Sequence, residues 1–137
     1  MTMSRRRDQR GSMAVELVIL APVMLAFLML IAAAGRLVAV KGDLEAASRD
    51  AARAASLERD PTSASTAARS VVSDSIDKQS ISCQAPNLGG NFVAGGYVSV
   101  NLTCRVSYDG LGLIGLPGSV EVKATSDAPI DTYRRTG

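Results

Sequence analysis

Residues 17–35 read LVILAPVMLAFLMLIAAAG, nineteen positions without a charged side chain, ended by Arg36. As an α-helix rising ~1.5 Å per residue, this run covers ~28 Å, close to the ~30 Å hydrocarbon core of a bilayer. It predicts one transmembrane helix over residues 12–35 and a single-pass anchor in the lipid bilayer. Two other readings stay open at this level. A helix buried in a soluble core would need more apolar partner surface than the rest of the chain supplies. A cleaved secretory signal would share the Arg-rich start, the apolar stretch and the small residues Ala32, Ala33 and Ala34. Against a signal stand Glu16 at the head of the run and a helical pattern that passes Arg36 without a break.

Toward the N-terminus the composition changes sharply. The formal charge of +2 over 137 residues is unevenly placed: residues 1–11 carry Arg5, Arg6, Arg7 and Arg10 against Asp8, net +3. That leaves 11 basic and 12 acidic groups, net −1, in residues 12–137. The basicity belongs to a short leader, residues 1–11, expected in the cytoplasm. Nucleic-acid binding needs a basic face on the folded part, so no nucleic acid is expected as a partner. Four arginines precede the run, whereas Arg36, Lys41 and Arg49 follow it, a bias that favours a cytoplasmic N-terminus and an extracytoplasmic C-terminal domain.

Beyond the run, residues 36–57 place Leu37, Val40, Leu44, Ala47, Ala51, Ala54 and Ala55 at helical spacing. The span is therefore predicted to continue as an amphipathic stem, with bends expected at Pro22 and Gly42. Asp60-Pro61 is a helix-start signal, Asp as N-cap and Pro at the first helical position. Ala64, Ala67, Ala68, Val71, Val72 and Ile76 then form one apolar face, which predicts a second, short helix over 61–77. After it the period changes to two. Ile81 and Cys83 alternate with serines, and Val98, Val100, Leu102, Cys104 and Val106 alternate with polar residues. With a third strand at Val120, Val122 and Ala124, residues 58–137 are expected to form a small α+β domain on a three-stranded antiparallel sheet. Cys83 and Cys104 share the apolar phase of the first two strands and are expected as a cross-strand disulfide. Such a bridge points to an extracytoplasmic compartment, and two reduced buried cysteines would imply the opposite topology.

Little in the chain suits catalysis. It has no histidine and no tryptophan, which removes His general bases, Ser-His-Asp triads and His metal sites. Two cysteines cannot supply four zinc ligands. Residues 110–115 match G-x-G-x-x-G, yet Pro117, Gly118 and a strand pattern follow where a nucleotide loop requires a helix. The segment reads as an apolar loop whose Leu111, Leu113 and Leu116 are expected on the domain's own core. The stem, the membrane or a second subunit are the other contacts open to them. The expectation is a protein that is not an enzyme and uses no cofactor or metal.

Three stretches carry a family resemblance: RGSMAVELVILAP at 10–22, GRLVAVKGDLEAASRDAARAAS at 35–56, and SYDGLGLIGLPGSVEVKATSDAPI at 107–130. In these the chain resembles the TadE-like family, minor pilins or pseudopilins of the Tad tight-adherence pilus, which is related to type IV pili and type II secretion. The resemblance implies a pilin-like fold anchored in a bacterial cell membrane. It also implies cleavage by an inner-membrane prepilin peptidase between Gly11 and Ser12, leaving Glu16 as the fifth residue of the mature protein. Leu17 follows Glu16 where such sequences often place Phe or Tyr. The implied partners are other Tad pilus subunits, the prepilin peptidase and an inner-membrane assembly platform. The implied work is pilus assembly, adhesion or associated secretion. From the residues alone, a carboxylate at the edge of the apolar run needs a cationic partner; the cleavage that the resemblance implies would supply one as a new Ser12 amine on a neighbouring subunit. A Glu16 that only reaches the headgroups is the plainer alternative. A membrane-anchored or secreted ligand-binding module is the other functional class that these features allow.

Overall fold

The computed structural model describes residues 10–76, 80–113 and 115–133. Residues 1–9 of the expected leader and Asp77, the expected end of the second helix, lie outside them. The first element is one α-helix, α1, Arg10–Leu57, 48 residues and so ~72 Å long. It runs on as helix through Pro22 and Gly42, the two expected bend points. Pro22 lacks an N–H and removes one ladder bond, but the Leu, Met and Ala residues around it favour helix on both sides.

A turn at residues 58–60 reverses the chain into α2, Pro61–Ser75. Asp60 is the N-cap, in extended backbone, with Pro61 behind it. The Ser63 N–H donates to Asp60 Oδ1 at 2.9 Å, and the Ser63 hydroxyl donates to Asp60 Oδ2 at 2.8 Å. These bonds satisfy a donor that any helix start leaves open. Helix α2 returns along α1, because Ser75 and Ile76 line a small cleft with Val40, Asp43 and Leu44. The buried residues of the two helices are mostly small: Ala47, Ala51, Ala52 and Ala55 on α1, Ala64 and Ala68 on α2. Small side chains let helix axes approach closely. Ser48 and Ser56 are also buried on α1, and their hydroxyls donate to the carbonyls of Glu45 and Arg53 one turn back, so neither adds an unmet polar group.

The sheet has four strands where three were expected. They are β1 at Ile81–Cys83, β2 at Asn87–Asn91, β3 at Tyr97–Ser107 and β4 at Ser119–Pro129. All pairings are antiparallel: β4 runs along one side of β3, while β1 and β2 share its other side end to end. The unexpected strand is β2, sequence NLGGN, whose residue types are depleted in strands. A shift of phase hides it as well. Cys83 stands opposite Cys104 and Asn87 opposite Asn101, so Gln84, Ala85 and Pro86 face only two residues of β3. One extra residue makes a β-bulge. It moves the inward phase from odd positions, Ile81 and Cys83, to even ones, Pro86 and Leu88. The Gln84 N–H still donates to the Thr103 carbonyl at 2.9 Å.

The inward residues of β3, Val98, Val100, Leu102, Cys104 and Val106, are buried, as are Val122, Ala124 and Ala128 of β4. This face receives α1, which packs on both β3 and β4. Cys83 and Cys104 are bonded across the β1–β3 pair, 21 residues apart in sequence.

Two expectations follow for stability. Hydrogen bonds from the Ser63 backbone N–H first, and its hydroxyl second, hold the Asp60 carboxyl below its ordinary value. A lowered carboxylate stabilises the fold above its unfolded value and loses that contribution as pH falls through the folded one. Asp60→Ala should therefore lower Tm at neutral pH, with the gap closing on acidification, as measured by thermal melts in detergent. Replacing both Cys83 and Cys104 with Ala should remove about 3 kcal/mol on the chain-entropy estimate, read by denaturant unfolding of the same preparation.

Candidate functional site: the uncovered half of the long helix

Helix α1 has two halves with different surroundings. From residue 44 onward Leu44, Ala47, Ala51, Ala52 and Ala55 are buried beneath α2 and the sheet, whereas every residue from 13 to 32 is exposed. Leu17 is 68% exposed, Phe27 56% and Leu30 59%. Burying one such side chain is worth about 1.5–3 kcal/mol, so a surface of this size is not left to water. No part of the described chain folds back onto it, so the run is not a core helix of this chain's own domain. By length and composition Met13–Leu57 contains one candidate membrane span, near the N-terminus. A helix suits that place because its backbone bonds are satisfied within the segment.

The residues singled out in the sequence fall at the two ends of this rod. The backbone of Gly11 and Ser12 lies in the first turn of α1, and Glu16 is exposed one turn beyond Ser12. Glu16 is the sole charged residue from 13 to 35. Arg36, the next basic residue, lies twenty positions on, ~30 Å along the axis. A carboxylate near a helix N-terminus is favoured by the helix dipole, which suits Glu16 to the rim of the apolar run. Cys83 and Cys104 are brought together in the domain at the other end. The span keeps the two groups of residues apart.

Some features had no sequence signal. Ala33 is only 6% exposed although it belongs to the apolar run, so the domain reaches back over the end of the span. A cleft of 460 Å³ opens between α2 and β1, lined by Arg69, Val72, Ile76, Ile81 and Pro86 among others. It depends on α2 crossing β1 beside the bulge, a long-range placement that local periodicity does not encode. Arg69 is the one charged residue on its wall among the described residues. Among the described residues, no group of three or more His, Cys, Asp or Glu side chains comes together to hold a metal ion.

The class is thus an α+β protein whose small disulfide-linked domain is carried on a long helix, with a candidate membrane span in its uncovered apolar half. Residues 11–53 match the family model of the TadE-like proteins, the family whose features the sequence resembles. The matched region takes in the Gly11–Glu16 junction, the span and most of the stem. No curated protein and no solved structure matches the chain. The TadE-like match is confined to that segment, and the candidate span fits a membrane-anchored protein.

Phe27 lies near the middle of the run, where an arginine costs about 2.5–3.5 kcal/mol on insertion scales. Phe27→Arg should shift the protein out of the carbonate-resistant membrane fraction, whereas Phe27→Leu should leave it there.

Proposed function

We propose that this chain is a non-catalytic minor pilin or pseudopilin subunit that serves Tad-type pilus assembly, adhesion or associated secretion. The observation that carries the reading is an overlap: the TadE-like match, residues 11–53, takes in the whole bare stretch 13–32 of α1 together with most of the stem that the domain packs on. A helix surface that is apolar, long enough to span and unpartnered within its own chain is suited to lipid first and to neighbouring helices afterwards. Between helices in lipid, association depends on close packing and polar contacts.

In this reading the basic leader stays in the cytoplasm and the domain lies outside. The disulfide supports that orientation, because such bonds persist in oxidising compartments. A prepilin peptidase cuts between Gly11 and Ser12. The cut frees an amine one helical turn before Glu16 and removes the leader arginines. Glu16 then pairs with the Ser12 amine of a neighbouring subunit as spans pack side by side, which offsets the cost of holding a carboxylate at the apolar edge. The partners are other pilus subunits, the peptidase and the assembly platform.

The cleft beside Arg69 favours a second reading, a membrane-anchored module that binds a ligand with its domain while Glu16 is passive. The two readings separate at the N-terminus. Terminal-peptide mass measurement on membranes from cells with and without the peptidase should give a start at Ser12 only when the peptidase is present. A start at Met1 in both samples removes the processing step, and a start after Ala34 favours a secreted module. Glu16→Ala should leave insertion intact and reduce pilus-dependent adhesion. Unchanged adhesion in that strain would favour the anchored binding module.

A further inference from the structure

The domain has one more apolar surface without a partner in the chain, and topology places it along α1. Ser75, Ile76 and Ile81 lie beside Val40, Asp43 and Leu44, just beyond the span. Ile81 pairs with Val106, and Val106 with Val120, so this row marks the span-proximal edge of the sheet. β3 and β4 are joined beyond that edge by residues 108–118. A 3-10 turn at Asp109–Leu111 begins this loop and packs on α1, and Leu111 belongs to the same buried cluster as Ala33. Ile31, Ala32, Ala34 and Gly35 around Ala33 are open. Ala33 lies two residues, ~3 Å, before the end of the apolar run. The domain therefore covers α1 at a level where the same helix faces lipid on its other sides.

The loop's chemistry suits that level. Residues 110–120 carry no charged side chain. Leu113 is half-buried, while Leu116 is 55% exposed and Pro117 is exposed beside it. The loop also holds its own shape. The N–H groups of Leu111 and Leu113 donate to the Tyr108 carbonyl at 3.1 and 3.0 Å, and the Tyr108 N–H donates to the Gly118 carbonyl at 3.1 Å. Gly118, at φ +125°, lies against the Tyr108 ring, where a Cβ would come within 2.8 Å of Cε2. Leu116 is thus presented outward by a braced turn. On the stem nearby, Arg36 and Lys41 are exposed and suited to headgroup level.

We propose that the β3–β4 loop, led by Leu116 and Pro117, is a second lipid contact, seated in the interfacial layer of the bilayer at the domain end of the span. The proposal rests on α1 being a membrane anchor. It gives the unassembled subunit a fixed tilt on the membrane, because the domain is both tethered by α1 and docked by the loop. Extraction into a fibre then requires this loop to leave lipid along with the span.

The absence of tryptophan from the chain makes single-Trp reporters unambiguous. Full-length Leu116→Trp, Pro117→Trp, Val93→Trp and Phe27→Trp variants would be placed in phosphatidylcholine–phosphatidylglycerol vesicles carrying brominated acyl chains. Val93 lies in the turn between β2 and β3 at the opposite end of the sheet and controls for the affinity of tryptophan itself for interfaces. Blue-shifted emission from positions 116 and 117, quenched by shallow bromines, with position 93 red-shifted and unquenched, is the expected result. Unquenched emission at 116 and 117 while position 27 is quenched overturns the loop contact and leaves the anchor standing, with a neighbouring subunit as the loop's partner. Quenching at 93 equal to that at 116 also overturns it. No quenching at 27 removes the anchor and the loop contact together.

Discussion

An α-helix meets its own backbone hydrogen bonds, and so one helix can pass from hydrocarbon into a protein core without a joint. The rest of this molecule is built on that property. α1 carries an apolar surface over its first half that its own chain leaves bare, and an alanine-rich surface over its second half that the chain covers. A strand or loop in the first half would strand its N–H and C=O groups in lipid. A separate helix in the second would need a linker, and linkers transmit neither position nor force well.

The change of surroundings happens near Ala33, where the domain begins to cover the helix. From there the buried positions Leu44, Ala47, Ala51 and Ala55 keep one side of α1 against its own domain. The small alanines among them let α2 and the sheet come close to the helix axis. The disulfide ties the short strand β1 to the central strand β3, where three residues of pairing alone would hold weakly. A domain of this size has little core to spare, so a covalent clip and a capped second helix matter in proportion.

On the proposed reading, function is carried by surfaces. What the described residues offer is a bare helix with one acid at its rim, a braced apolar loop at the domain end of the candidate span, and an apolar cleft with Arg69 on its wall. Each suits contact with lipid or with another protein. A TadE-like match confined to residues 11–53 is consistent with this division, since it covers the rod and leaves the sheet aside.

Much of this was legible in the order of residues. The charge-free run at 17–35, the stripe from Leu37 to Ala55, the Asp60-Pro61 start of α2 and the alternation in β3 are local periodicities, and local periodicity is what a linear sequence records directly. The pairing of Cys83 with Cys104 followed from two such phases. Beyond that reach lay β2, because an NLGGN segment has no hydrophobic period and the bulge at residues 84–86 reverses its phase. The extension of β4 to Pro129 and the packing of the 3-10 turn of the β3–β4 loop on α1 depend on strand register and on the direction in which α2 returns. The sequence by itself determined which segments are apolar and with what period, since that is a property of side chains and their spacing. Only the tertiary structure decided which of those surfaces the chain covers and which it leaves bare, because burial is settled by partners distant in sequence that meet when the sheet closes on the stem.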